Sequence, residues 1–400
     1  MATFRSAGVI HHGRGSLQQL GPEARRLGGS RVLIFTDPGV RAAGLADRGR
    51  ELLQKEGLHV DVFDQVQPEP PIENFEKCLA AAREGGYDLF VGLGGGSSLD
   101  MCKAAAVLMT NTGDIRQYLG VNLVQKPGLP KIAIPTTAGT GSEVTHITIV
   151  TDSARQLKIG VVSPYLIPDV AIVDPEMSLG CPPPVTAATG MDALTHAIEG
   201  YTSLLANPLS DACALQAMTL IARSLRTAVH QGQNVEARSD MALGALLAGL
   251  AFANASVTAT HALAFALGGQ FNVPHGVANA MMLPYVMEFN CLANPARFAQ
   301  VARQLGECLE GLSPRQAALQ VAAHTRTLAM DVGISLRLGD YGIPAAAIPA
   351  LAEGAISVTR IIGNNPRRIS KEDVEEIFRQ AAHRGNQGIG NQEIRLPNES

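Results

Sequence analysis

The 400-residue sequence predicts a two-part chain, an α/β half with a mostly parallel sheet followed by an all-helical half. Three observations predict it. Short apolar β-type runs alternate with helical periodicities through the first 180 residues. The run Cys181-Pro182-Pro183-Pro184 then breaks the rhythm, because consecutive prolines neither continue a helix nor sit in a central strand. Beyond it almost no β-type run occurs, while helical patterns recur. These place one domain at 1–180 and a second at 181–400.

The expected strands are Val32–Phe35, Val60–Phe63, Leu89–Leu93, Ile132–Ile134 and Val170–Val173. Each is nearly continuous in apolar residues, as strands buried on both faces of a parallel sheet must be. Helical patterns at Leu45–Glu56, Ile72–Glu84 and Leu99–Met109 lie between the early strands, giving strand–helix alternation. Val144–Thr151 and Leu157–Val162 flank Asp152-Ser153-Ala154-Arg155 and read as a hairpin added to the sheet. In the second half, helical patterns fill Val185–Leu204, Leu209–Val229, Glu236–Leu267, Val277–Phe289, Pro295–Glu310, Pro314–Val332 and Lys371–Ala382. Arg384–Ser400, rich in Gly, Asn and Gln, reads as a loose tail.

Composition excludes several classes. Lys and Arg total 32 against 36 Asp and Glu, and no basic stripe stands out, so a nucleic-acid partner is not expected. Trp is absent and aromatics are 4%, which leaves little for stacking platforms. With 46% hydrophobic residues there is enough apolar material to offset chain entropy, so disorder is a poor reading. Six cysteines, at 78, 102, 181, 213, 291 and 308, form no CxxC pair and read as reduced thiols of a cytoplasmic protein. The N-terminus has no apolar core of a signal peptide. Met241–Pro274 contains no Asp, Glu, Lys or Arg and has the length of a bilayer span. Asn254, Ser256, Thr258, Thr260 and His261 interrupt it, so it is read as a helix buried in a large protein, with no membrane partner.

Two loops suit a dinucleotide. Leu89–Leu93 runs into Gly94-Gly95-Gly96-Ser97-Ser98, and a helix follows from about Leu99. Unpaired N–H groups and the helix dipole at such a junction attract phosphate, and glycine lets it approach the backbone. The same glycines also suit a tight βα turn, and the pattern is neither G-x-G-x-x-G nor a Walker A loop. Pro135-Thr136-Thr137-Ala138-Gly139-Thr140-Gly141-Ser142-Glu143 follows the next strand, and small hydroxyl residues at strand ends are where ligands bind in open α/β sheets. Asp37 directly follows the first predicted strand. A carboxylate there can accept ribose hydroxyls and would repel a 2′-phosphate, favouring NAD over NADP, or it can serve as a turn residue before Pro38.

A third set suits a metal. Asp192 and His196 are four apart, on one face of a helix. His261 sits in the uncharged run, and His275 in the turn Val273-Pro274-His275-Gly276. One carboxylate and three imidazoles suit a divalent first-row metal with a position open for substrate. Each histidine taken singly fits an ordinary hydrogen-bonded role as well.

Taken together, Gly94–Asp100, Pro135–Thr145, Gly190–Glu199 and Pro274-His275-Gly276 resemble the iron-dependent (group III) alcohol dehydrogenase family. The match begins near Gly13-Arg14-Gly15-Ser16-Leu17, passes through Pro68-Glu69-Pro70, and ends in Asn365–Asp373. The resemblance implies a Rossmann-like dinucleotide-binding first domain and a helical metal-binding and substrate domain, the layout of dehydroquinate synthase. It implies NAD(P) on the Gly94–Ser98 loop, with Asp100, Thr136, Thr137 and Lys158 lining the site. It implies metal held by Asp192, His196, His261 and His275, with iron(II) expected and zinc(II) the other candidate. A homodimer or larger homo-oligomer is the family expectation. One departure stands out. Family members often carry a second histidine four residues after the one matching His261, and here that position is Phe265. Phenylalanine cannot relay a proton, and the pocket becomes more apolar there. His146, just after the Thr-rich loop, is the substitute to examine.

The reaction expected is reversible hydride transfer between a small alcohol or aldehyde and nicotinamide, with the metal acting on the substrate oxygen. Two alternatives share the layout. A dehydroquinate synthase-like lyase or cyclase would need a basic phosphate cluster in the helical half, where Arg223, Arg226 and Arg238 are scattered. A hydroxyacid–oxoacid transhydrogenase would keep its cofactor bound throughout.

Overall fold

A computed structural model describes residues 3–152 and 157–383. Nine strands are present among the described residues: β1 (Val9–His12), β2 (Arg31–Phe35), β3 (His59–Phe63), β4 (Leu89–Gly94), β5 (Gly120–Val121), β6 (Lys131–Pro135), β7 (Ile147–Asp152), β8 (Leu157–Val162) and β9 (Val170–Val173). Six form one sheet in the order β1-β9-β6-β4-β2-β3, and every neighbouring pair is parallel. Successive side chains of a strand point to opposite faces. Thus Val32 and Ile34 join the core beneath α1 (Leu20–Arg26) and α3 (Leu45–Lys55). Leu33 and Phe35 join the other core, beneath α4 (Ile72–Gly85) and α5 (Gly96–Leu108). A short α2 (Pro38–Ala42) follows β2. All five predicted strands are found. β1 and β5 were not foreseen: β5 has only two residues, and β1 ends in two histidines instead of continuing as an apolar run.

The hairpin differs from expectation. β7 and β8 pair antiparallel, but they form a separate three-stranded sheet with β5 instead of extending the main one. The place beside β6 is already taken by β9. The loop leaving β6 also turns away, because Gly141 (φ +60°) packs directly on Gly249 of the helical half. Residues 153–156, which include most of the expected turn, lie outside the described residues, as does the tail at 384–400.

After Cys181 the described chain is helical. Its elements are α6 (Pro183–Thr202), α7 (Pro208–His230), α8 (Val235–Ala255), α9 (Ala259–Phe271), α10 (His275–Asn290), α11 (Pro295–Gln304), α12 (Pro314–Asp331), α13 (Ile348–Ser357), α14 (Thr359–Ile362) and α15 (Lys371–His383). One core of Ala, Leu, Met and Val runs from α6 to α15. The single helix expected over Glu236–Leu267 is two helices, α8 and α9, whose axes bend by 101°. Ser256 (φ +66°) ends the first. The second starts where the buried Glu199 carboxylate accepts from the backbone N–H groups of Thr258 and Thr260. A side chain from another helix thus supplies the N-terminal acceptor, a partner that local periodicity does not show. Among the described residues no single helix is long and apolar enough to cross a membrane. The helix expected over Pro295–Glu310 stops at Gln304, and that expected from Leu99 begins at Gly96.

Candidate active site

Three helices bring the predicted metal ligands together. Asp192 and His196 lie one turn apart on α6, His261 lies in the first turn of α9, and His275 opens α10. Gly276 explains the motif around His275. A Cβ there would stand 2.3 Å from the Ala188 carbonyl oxygen, so glycine lets α10 start against α6. Asp192 Oδ1 lies 3.7 Å from His261 Nε2 and 3.6 Å from His275 Nε2. One atom from each of these three residues falls within 4.8 Å of the others. His196 stands beside this triad. Its Nδ1 is 3.9 Å from Asp192 Oδ2, and its ring stacks on His261 at 4.6 Å.

Two neighbours were not singled out from sequence. Asn279, one turn beyond His275, is fully buried, and its amide nitrogen donates to Asp192 Oδ1 at 2.7 Å. Glu199, one turn beyond Thr195 on α6, is also fully buried. Its carboxylate accepts from His261 Nδ1 at 2.7 Å, from the Thr258 hydroxyl at 2.6 Å, and from the N–H groups of Thr258 and Thr260. Because the carboxylate only accepts, Nδ1 carries the proton and His261 Nε2 is left as an acceptor, 3.2 Å from the Asn279 amide nitrogen. Glu199 is recognisable in sequence only as the last residue of the Gly190–Glu199 motif.

Burial favours the neutral forms of His196 and His275 beside the Asp192 carboxylate. Burial raises the Asp192 pKa, but His196, His275, His261 and the Asn279 amide outweigh it, and the net shift is downward. Burial pushes His196 down to about 4, with Asp192 pulling the other way. Burial also raises Glu199, and its hydrogen bonds from His261 and Thr258 bring the net below the ordinary value. His196 Nδ1 and Asn279 Oδ1 are buried without a hydrogen-bond partner. A carboxylate and convergent imidazoles lining one cavity, with orphaned lone pairs among them, fit a divalent first-row metal.

The glycine loop and the Thr-rich loop emerge side by side, since Gly94 and Pro135 are register partners. No side chain caps α5, whose N-cap is Gly95. A Cβ on Gly94 would meet Ser98 Oγ at 2.5 Å, and one on Gly96 would meet Thr140 Cγ2 at 2.7 Å. The backbone is therefore bare at a helix N-terminus, and the Ser98 hydroxyl is buried without a partner. This cradle fits a dinucleotide phosphate. Asp37 takes the turn role expected of it. Its Oδ1 caps α2 by accepting from Gly39 and Val40, while Oδ2 points to within 3.4 Å of the Cβ position of Gly94. Thr137 flanks Gly95, and the Thr136 N–H donates to the Gly94 carbonyl. Both Asp100 oxygens are engaged, by the Ser142 hydroxyl and the Ile149 N–H, so Asp100 braces the loop. Lys158 pairs with Glu69 at 2.6 Å.

One cavity joins the two sets. Gly96, Ser97, Asp100 and Lys158 line one part, and Asp192, His196, His261 and His275 another. Ile147, Ile149, Phe252, Val257 and Phe265 supply apolar walls. Phe265 stacks on His275 and stands edge-on to His261, while Phe252 stacks on His196. His146 does not line this cavity, and burial pushes its pKa down to about 4. An open depression by Arg14, Arg223 and Asp240 shares none of these residues.

Residues 7–175 match the family described as "Iron-containing alcohol dehydrogenase", and residues 186–382 match "Fe-containing alcohol dehydrogenase family, C-terminal". Long-chain-alcohol dehydrogenase 1 of Geobacillus thermodenitrificans is 46% identical over 93% of this chain and 95% of its own. The crystal structure of a 1,3-propanediol oxidoreductase superposes with a TM-score of 0.93 at 42% identity, covering 95% of this chain and all of that one. Sulfoacetaldehyde reductase from Bifidobacterium kashiwanohense, solved in complex with NAD+, has a TM-score of 0.86 at 31% identity, covering 96% and 99% of the two chains.

Proposed function

The chain belongs to the iron-containing alcohol dehydrogenase family, and from that premise we propose that it catalyses NAD-linked, metal-dependent interconversion of an alcohol and its aldehyde. The observation that carries this reading is the single cavity shared by the end of the glycine loop and the Asp192–His261–His275 cluster. Residues 1–180 would bind the dinucleotide, and 181–400 would supply the metal ligands and most of the substrate wall. Asp192, His196, His261 and His275 would hold iron(II) or zinc(II). When bound, the metal supplies Lewis-acid polarisation of the substrate oxygen and the nicotinamide exchanges the hydride.

The chain's own groups do the positioning. Glu199 holds His261 in one tautomer, and Asn279 fixes the Asp192 carboxylate. The bare glycine turn and α5 N-terminus receive phosphate, and Asp37 faces the adenosine end, which favours NAD. Phe252 and Phe265 shield the imidazoles from water and leave no proton relay at position 265. The six free cysteines accord with a cytoplasmic enzyme. A homodimer or larger assembly is part of the same proposal. The three arginines weighed for a lyase of the dehydroquinate synthase type are engaged elsewhere: Arg223 pairs with Asp240, Arg226 with Asp331, and Arg238 bonds Thr186 and backbone carbonyls.

The test uses protein reconstituted anaerobically with iron(II) and a panel of short and medium aldehydes, with NADH and NADPH in parallel. Consumption of NADH, faster than of NADPH, is expected with at least one aldehyde. No consumption by protein that holds metal and binds NADH would shift the reading to a transhydrogenase. His261→Ala should lose metal and turnover together, and full activity at normal metal content would overturn the ligand assignment.

A further inference from the structure

The cavity wall holds a cation that the proposed reaction does not use. Arg360 lies in α14 and lines the same cavity as Asp192, His261 and His275. The other cations near the cavity have partners. Lys158 pairs with Glu69, and Lys103 with Asp100 and the Ser142 carbonyl. The Arg360 guanidinium makes no ion pair or hydrogen bond among the described residues. Arg360 itself is exposed, while Val358, Ile361 and Ile362 beside it pack into a cluster with Phe252, Val257 and Phe265. After burial itself, the charges of Lys103, Arg5 and Arg360 help keep the nearby His146 neutral. Crowding also lowers the Arg360 pKa, with no neighbouring charge contributing.

We propose that Arg360 is a specificity-determining residue, and that the preferred substrate carries an anionic group, a carboxylate or sulfonate, at the end remote from the reacting carbon. The apolar wall of Phe252, Val257 and Phe265 takes the carbon chain between the two polar ends. An unpaired guanidinium at the rim of an apolar pocket gains a charge-assisted, two-pronged hydrogen bond when such an anion arrives. A neutral aldehyde of equal length leaves it unmatched. This inference rests on the alcohol dehydrogenase reading and refines its substrate class.

The experiment compares kcat/KM for butanal with 4-oxobutanoate and for hexanal with 6-oxohexanoate, using metal-loaded protein and NADH. The oxo acid of at least one pair should be favoured by about 10-fold or more, chiefly through KM, with KM rising as salt is added. In R360Q the ratio of oxo acid to aldehyde should fall at least about 10-fold, and R360K should restore part of it. A preference for the neutral aldehyde in both pairs, or a ratio unmoved in R360Q, overturns the proposal. A readout without turnover separates it from the reaction itself. 4-Hydroxybutanoate, but not butan-1-ol, should raise the melting temperature of the wild-type protein with NAD, and R360Q should lose that rise. If no aldehyde is reduced yet this shift is seen, the reaction reading fails and the anion site stands. If aldehydes are reduced but no shift is seen, the anion site fails.

Discussion

Glu199 shows how one buried carboxylate serves two purposes. It starts helix α9 by taking the Thr258 and Thr260 N–H groups, and it orients the His261 ring through Nδ1. Glu199→Gln keeps the shape but cannot match the same four donors. Metal affinity should fall by about 10- to 100-fold, measured by competition with a chelator; unchanged affinity would remove Glu199 from the metal centre's support. Glu143 makes a separate pH prediction. It is buried in the Thr-rich loop, and burial raises its pKa to about 7. The folded state therefore binds this proton more tightly than the unfolded chain. Its cost to stability is absent below about pH 4.5 and grows as pH rises through 7. Glu143→Gln should be more stable than the wild type at pH 8, by about 2–4 kcal/mol, and nearly equal to it at pH 4.5. Denaturant midpoints at the two pH values decide this, and a gain independent of pH would refute it.

At the scale of elements, the site depends on where chain segments touch. The Thr-rich loop reaches the helical half at Gly141, where a Cβ would stand 2.4 Å from the Gly249 Cα and where φ is +60°. An alanine there meets both a steric clash and an unfavourable backbone conformation. Gly141→Ala should destabilise the protein by about 2–4 kcal/mol, and it should weaken NADH binding because Ser142 beside it anchors Asp100. Equilibrium unfolding and NADH titration read the two effects. Normal stability in this variant would show that the contact is not tight in solution. The bend between α8 and α9 has similar standing, since it turns His261 toward Asp192 and away from the line of α8.

For the whole molecule, the parallel sheet supplies bare backbone at the carboxyl ends of β4 and β6, and the helical half supplies side chains from α6, α9 and α10. Neither half contains the complete cavity. The metal cluster lies entirely within the helical half, so metal removal should lower that half's stability first. Chelation should reduce the melting temperature, and added iron(II) or zinc(II) should restore it. At pH 5 the restoration should persist, because His196, lowered to about 4, is still largely neutral there. A restoration lost already at pH 6 would show that the imidazoles titrate normally.

Five of the six strands of the main sheet, the change to helices after Cys181 and the two loops at strand ends were legible in the sequence, and the family resemblance pointed to Asp192, His196, His261 and His275 as one group. Each is written in local terms: apolar runs, proline, glycine, and short motifs in fixed order. The remaining features depend on contacts between distant segments. The hairpin forms a sheet of its own because β9 occupies the place beside β6. The uncharged run breaks into two helices because a glutamate 59 residues earlier meets its middle. Asn279 reaches Asp192 across 87 residues of sequence, and Arg360 reaches the cavity from the far end of the chain. Periodicity records which face of an element is buried, and it carries no record of which other element covers that face.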